Sequence, residues 1–74
     1  MPQVLILGWR SGLKSVSLVK LLQEHTNYSL KMAKEIVDRC LEGETVAVEM
    51  ATLMEAERLA REASSLGAIT AISE

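Results

Sequence analysis

Two side chains in this sequence have the intrinsic capacity for nucleophilic or proton-transfer chemistry near neutral pH, His25 and Cys40. Nucleophilic catalysis needs a base within hydrogen-bond reach of the nucleophile and a third group that orients the base. The sequence offers no such set. Each of the two falls on an apolar helical stripe, where a neutral imidazole or a small thiol packs well. With one histidine and one cysteine in the chain there is no metal-ligand spacing. Gly8 and Gly12 lack the rest of a phosphate-binding loop. The chain reads as a protein that is not an enzyme and needs neither metal nor cofactor.

Charge carries more information. Residues 1–34 hold five cations (Arg10, Lys14, Lys20, Lys31, Lys34) against Glu24 alone, whereas residues 35–74 hold three cations against nine acids. A basic front half suggests a face for an acidic partner. Nucleic acid is not the expected one, because the net charge is −2 and a single Trp and a single Tyr leave little to stack on bases. Trp9 and Arg10 could form an aromatic and cationic contact point, although a tryptophan closing the core edge is the stronger reading.

The elements that must position these residues follow from pattern. With 74 residues, 49% of them apolar, the chain has the length of one small domain spanning 1–74. Val4 to Leu7 is the longest unbroken apolar run, far short of the ~18 residues that cross a membrane, and no basic leader precedes it. A lone cysteine excludes an internal disulfide and suits a reducing, cytoplasmic setting. Gln3 to Gly8 reads as a strand, and Trp9 to Lys14, with Ser11 and Gly12, as a loop. From Ser15 the period changes, with Leu18, Leu21, Leu22 and His25 forming one helical stripe. Thr26-Asn27-Tyr28-Ser29 interrupts it. A second helix runs from Leu30 to Leu41 with Ala33, Ile36, Val37 and Cys40 on one face, and Gly43 terminates it.

Thr45 to Glu49 reads as a short β-branched strand. Thr52 and Glu55 have capping-box spacing, opening a helix that buries Leu53, Ala56, Leu59, Ala60, Ala63 and Leu66. Gly67 ends that helix and Ala68 to Ile72 forms a last strand. The order β-α-α-β-α-β predicts an α+β fold in two layers, three helices on one face of a three-stranded sheet. The other sheet face stays open, so the outward members among Val4, Ile6, Val46 and Val48 mark a surface for a homo-oligomer.

The run SVSLVKLLQEHTNYSLKMAKEIVDRC, Ser15 to Cys40, resembles the paired-helix segment of the C-terminal domain of bacterial ribosomal stalk protein L7/L12. The shared features are an apolar helix with Lys20 at its centre, a turn with Thr26, and Leu30-Lys31-x-Ala33-Lys34 leading into Ile36-Val37. Val4-Leu5-Ile6-Leu7, Ala56-Glu57-x-Leu59 and Leu66-Gly67-Ala68 are similar to that domain too, in the same order. The family's N-terminal dimerisation region and hinge are not part of the resemblance.

The resemblance implies a non-catalytic interaction module of translation. In that family the first two helices dock translational GTPases and bring them to the ribosome. By position, the docking residues would be Val16, Val19, Lys20 and Gln23 on the first helix with Leu30, Lys31 and Lys34 on the second; Gln23 stands where the family has arginine. Val16, Val19 and Lys20 lie off the Leu18–Leu21–Leu22 stripe, so core packing does not require them, and Val16 and Val19 read either as partner contacts or as the edge of the core. Two valines ringed by lysines suit an acidic amphipathic helix. A proteolysis adaptor similar to the Clp-protease adaptor family shares this order of elements. The stretch Gly8-Trp9-Arg10-Ser11, however, lacks the acid that such an adaptor uses to hold an amino terminus. An oligomeric structural protein built through the sheet face is the remaining alternative.

Overall fold

A computed structural model describes residues 2–73, and all of the elements below lie within them. Strand β1 spans Gln3–Trp9, helix α1 Ser15–His25, α2 Leu30–Leu41, strand β2 Val46–Glu49, helix α3 Leu53–Ser65 and strand β3 Ala68–Ser73. The expected order and type of every element hold, giving the α+β fold. The sheet order is β2-β1-β3, with both pairings antiparallel.

The register decides which side of the sheet is buried. Val4 pairs with Val48 and Ile6 with Val46, so these four share one face, and all four are buried. None of them contributes to the open face. That face belongs instead to the alternate residues, with Leu5 between Ala47 and Ala71, and Gln3 between Glu49 and Ser73. A β-bulge between Ile6 and Gly8 sets Leu7 and Gly8 against Ile69. Leu7 and Ile69 remain exposed beside it.

The helices do not cover the sheet equally. Helix α2 packs on β1 and β2, helix α3 packs on β1 and β3, and α1 makes its main contacts with those two helices. Small residues permit this. Ala33 on α2 and Ala56, Ala60 and Ala63 on α3 are all buried, and side chains this short let the helices sit close to the strands. Leu18 and Leu22 of α1 then fill the valley above them, both with no exposed surface. Leu53, expected in the core, is 39% exposed at the first turn of α3.

Each helix end has an identifiable cause. Thr26 closes α1: its hydroxyl donates to the Leu22 carbonyl at 2.6 Å and accepts from the Tyr28 N–H at 3.1 Å. Ser29 caps α2 by accepting from the Met32 N–H at 3.1 Å, and Thr52 caps α3 by accepting from the Glu55 N–H at 3.2 Å. Only the Thr52 half of the expected capping box is made among the described residues. Gly67 has a double constraint. Its φ is +109°, and a Cβ there would lie 3.0 Å from the Leu13 backbone, because the loop after β1 crosses this turn. That loop is tied down by the Arg10 N–H donating to the Gly67 carbonyl and the Lys14 N–H to Leu66.

Two stability outcomes follow. Gly67→Ala, which meets both a left-handed backbone and the Leu13 contact, should cost about 1–3 kcal/mol in chemical denaturation. Leu22→Ala, which empties a fully buried site, should cost about 2–5 kcal/mol and leave the domain largely unfolded at room temperature.

Candidate functional site

The chemistry-bearing residues divide into those the fold consumes and those it leaves free. Cys40 is consumed. It is buried in the core with its thiol 3.8 Å from the Gly8 carbonyl, and burial pushes its pKa upward because the thiolate would lose its hydration. His25 is half-buried, and its Nε2 lies 2.7 Å from Glu62 Oε2 on α3. The histidine thus joins α1 to α3 through a carboxylate, where the stripe alone suggested apolar packing. This contact becomes an ion pair only when the imidazole is protonated. The two residues belong to different interfaces, Cys40 beneath α2 and His25 beside α3.

Arg10 is consumed as well. Its Nη2 donates to the Ser64 carbonyl at 2.9 Å, to Ser64 Oγ at 3.2 Å and to the Ala68 carbonyl at 3.4 Å. Helix α3 has no basic residue in its own last turn, so this guanidinium supplies the positive charge that its C-terminal carbonyls favour. Trp9, paired with Ala68, remains nearly half exposed at the end of β1.

What the fold leaves free lies mostly on α1 and α2. Val16 is 69% exposed and Leu30 is 51% exposed. Lys20, Lys31 and Lys34 are exposed, and Gln23 is half-buried. Of the two readings of Val19 the structure takes the core one, since it is only 8% exposed. The reason is its position on the flank of α1 that meets α2, so that a residue off the leucine stripe is covered by the neighbouring helix. It forms part of a shallow groove of about 170 Å³ along the α1–α2 seam, together with Ser15, Val16, Lys34, Val37, Asp38 and Leu41. Of these, Ser15 was not among the expected contacts, and neither were Val37, Asp38 and Leu41 on α2. For those three the signal was the three- and four-residue spacing from Lys34, which continues the same flank of α2.

The lysines do not converge on that groove. Lys34 lines it, whereas Lys20 borders a second hollow of about 290 Å³ between α1 and α3, with Glu24 and Glu62. Lys20 therefore sits on the crest of α1, on the side toward α3. A third hollow of about 560 Å³ lies away from these cations, between the α1–α2 turn and the β2–α3 turn, bordered by Glu24, Glu49 and Glu55 and by no lysine or arginine.

Electrostatics distinguish the helical pair from the rest of the molecule. Among the described residues the only contact of ion-pair geometry is His25–Glu62, and Lys20, Lys31 and Lys34 each have an acid four residues on (Glu24, Glu35 and Asp38) without closing a direct contact. Neither α1 nor α2 has an acid in its first turn, whereas α3 carries Glu55 there. Lys31 stands in the first turn of α2, at the positive end of the helix dipole, and Lys34 follows one turn on. At Lys31 such placement destabilises the helix by about 0.3–1 kcal/mol. Leu30 and Met32 are about half exposed at the same end.

Compared with known proteins, the chain matches no protein-family model and no curated sequence. No helix among the described residues is long and apolar enough to cross a membrane.

The fate of Cys40 gives a pH dependence with a definite sign. Its folded pKa is raised by burial, so the unfolded chain loses the thiol proton first. The contribution to stability is complete below the ordinary thiol range, about 8.5, and is lost as pH climbs through and above it. Denaturation midpoints for the parent should fall with alkaline pH more steeply than those of a Cys40→Ala variant. Alkylation of Cys40 near neutral pH should proceed only as fast as the chain opens.

Proposed function

We propose that this protein is a non-enzymatic interaction module whose α1–α2 surface docks an acidic, amphipathic segment of a translational GTPase, in the manner of the stalk-protein domain it resembles. The observation that carries the reading is the first turn of α2. There Lys31 stands at the positive end of the helix, with Leu30 exposed beside it and Lys34 following one turn on along the same flank. Stability alone favours an acid in that turn and a polar residue at the two exposed apolar sites, Leu30 and Met32. Both preferences are reversed, with Leu30, Lys31 and Lys34 on the flank toward α1 and Met32 on the other side of the helix.

A partner that places carboxylates against Lys20, Lys31 and Lys34 and an apolar ridge along Val16, Leu30 and the seam would satisfy both features. The exposed lysines would also steer its approach, so association should weaken with salt. Asp38 at the edge of the seam limits how far an acidic segment extends toward the end of α2. The docking contact is therefore centred on the crest of α1 and the front of α2, with Val19 serving as floor. On this reading the module acts in the cytoplasm, by holding a factor.

Two variants separate docking from folding. Lys20→Glu combined with Lys34→Glu should abolish retention of an elongation-factor GTPase in a pull-down, with a thermal midpoint close to the parent's, because both sites are exposed. Lys31→Glu should raise stability by about 0.3–1 kcal/mol while weakening the same interaction. Normal retention of the factor by the double variant contradicts the proposal.

A further inference from the structure

The opposite flank of the molecule ends in an edge strand with little of the usual protection, the Arg10 side chain at the Ala68 carbonyl apart. From Ala68 to Ser73, β3 contains no charged residue and no proline, and the extra residue of the bulge belongs to β1, so β3 itself is uninterrupted. Native edges are ordinarily blunted by charges, prolines, bulges or brevity. The other edge is so protected: β2 has only four residues, ends in Glu49, and follows Glu42 and Glu44. Two copies meeting there would bring acids together. We infer that β3 pairs antiparallel with β3 of a second copy of this chain, joining two three-stranded sheets into one of six strands.

Self-complementarity is what selects a second copy. A two-fold axis through Thr70 sets Ala68 opposite Ile72 and Ile69 opposite Ala71 of the second copy, so each residue faces one from the same side of the sheet. The axis then fixes the helices. Because α3 packs over β1 and β3, the two α3 helices fall two strand spacings apart, about 10 Å, which is a helix-packing distance.

The charges on that flank also match. Thr70 Oγ1 donates to the Ala60 carbonyl at 3.3 Å, so the axis passes beside the middle of α3. On α3, Ala56, Leu59, Ala60 and Ala63 face the core, and Glu62 and Leu66 border α1. At about 100° per residue, Glu57 and Arg61 then fall on the side away from α1. They straddle Leu59, within one residue of the axis. Glu57 of each copy therefore meets Arg61 of the other, and neither has an ion-pair partner within its own chain among the described residues. The pairing also covers the exposed Ile69 and Ile72. It leaves the α1–α2 surface free and does not depend on the docking reading.

The test is sedimentation velocity of the full chain from micromolar to millimolar concentration, with amide hydrogen exchange at both ends of the range. A dimer should form, with protection gained at Ala68–Ser73. Arg61→Glu, or Glu57→Arg alone, should weaken it roughly tenfold or more through like-charge contact, and the double exchange Glu57→Arg with Arg61→Glu should restore it. A monomer throughout, a dimer indifferent to both single changes, or protection gained only at the Leu5–Ala47–Ala71 face overturns the inference.

Discussion

Everything in this molecule depends on covering one side of a three-stranded sheet with very few residues. Val4, Ile6, Val46, Val48 and Ala68 form the buried side, and no single helix is wide enough to hide it. Alanines on α2 and α3 let those two helices lie close against the strands, and the valley between them is closed by Leu18 and Leu22 of α1. In so small a domain the hydrophobic gain barely exceeds the entropy lost on ordering the chain. Hence core positions such as Leu22 and close approaches such as Gly67 against Leu13 leave little room for change.

The same constraint decides where function can reside. A helix resting on two others has an outward side that no further layer covers. The crest of α1 and the front of α2 are such surfaces, and there the chain departs from what folding prefers, with a cation at a helix start and large apolar side chains in water. Arg10 and His25 show the opposite case. Both are polar groups drawn into structural contacts, one securing the end of α3 and the other joining α1 to α3. Reactive residue types are thus taken up by the fold, and what it leaves at the surface is charge beside exposed apolar side chains.

Much of the fold was legible because its signals are local. The helical stripe from Leu18, the cap at Thr52 and the glycines at 43 and 67 each act within a few residues, so spacing alone placed the elements almost to the residue. The rest depends on what lies alongside. Val19 could be read as partner contact or core edge because its own helix has a better stripe, and it is the cover of α2 that decides for the core. Leu53 seemed buried because it begins an apolar face, yet the first turn of α3 extends past the core. His25–Glu62 joins residues 37 positions apart, and the bulge beside Leu7 arises from pairing with β3, so neither leaves a local trace. Of the expected docking residues, Val16, Lys20, Leu30, Lys31 and Lys34 are exposed, Gln23 is half-buried and Val19 is buried against α2.

The central claim is that the crest of α1 and the front of α2 are kept for an acidic partner. It is tested most directly by following the backbone amide resonances of the labelled protein while a translational GTPase is added. The account predicts shifts or broadening concentrated between Val16 and Lys34, diminishing with added salt, while the amides of β2 and β3 stay in place. Perturbations centred on the sheet, or none at saturating factor, would contradict it.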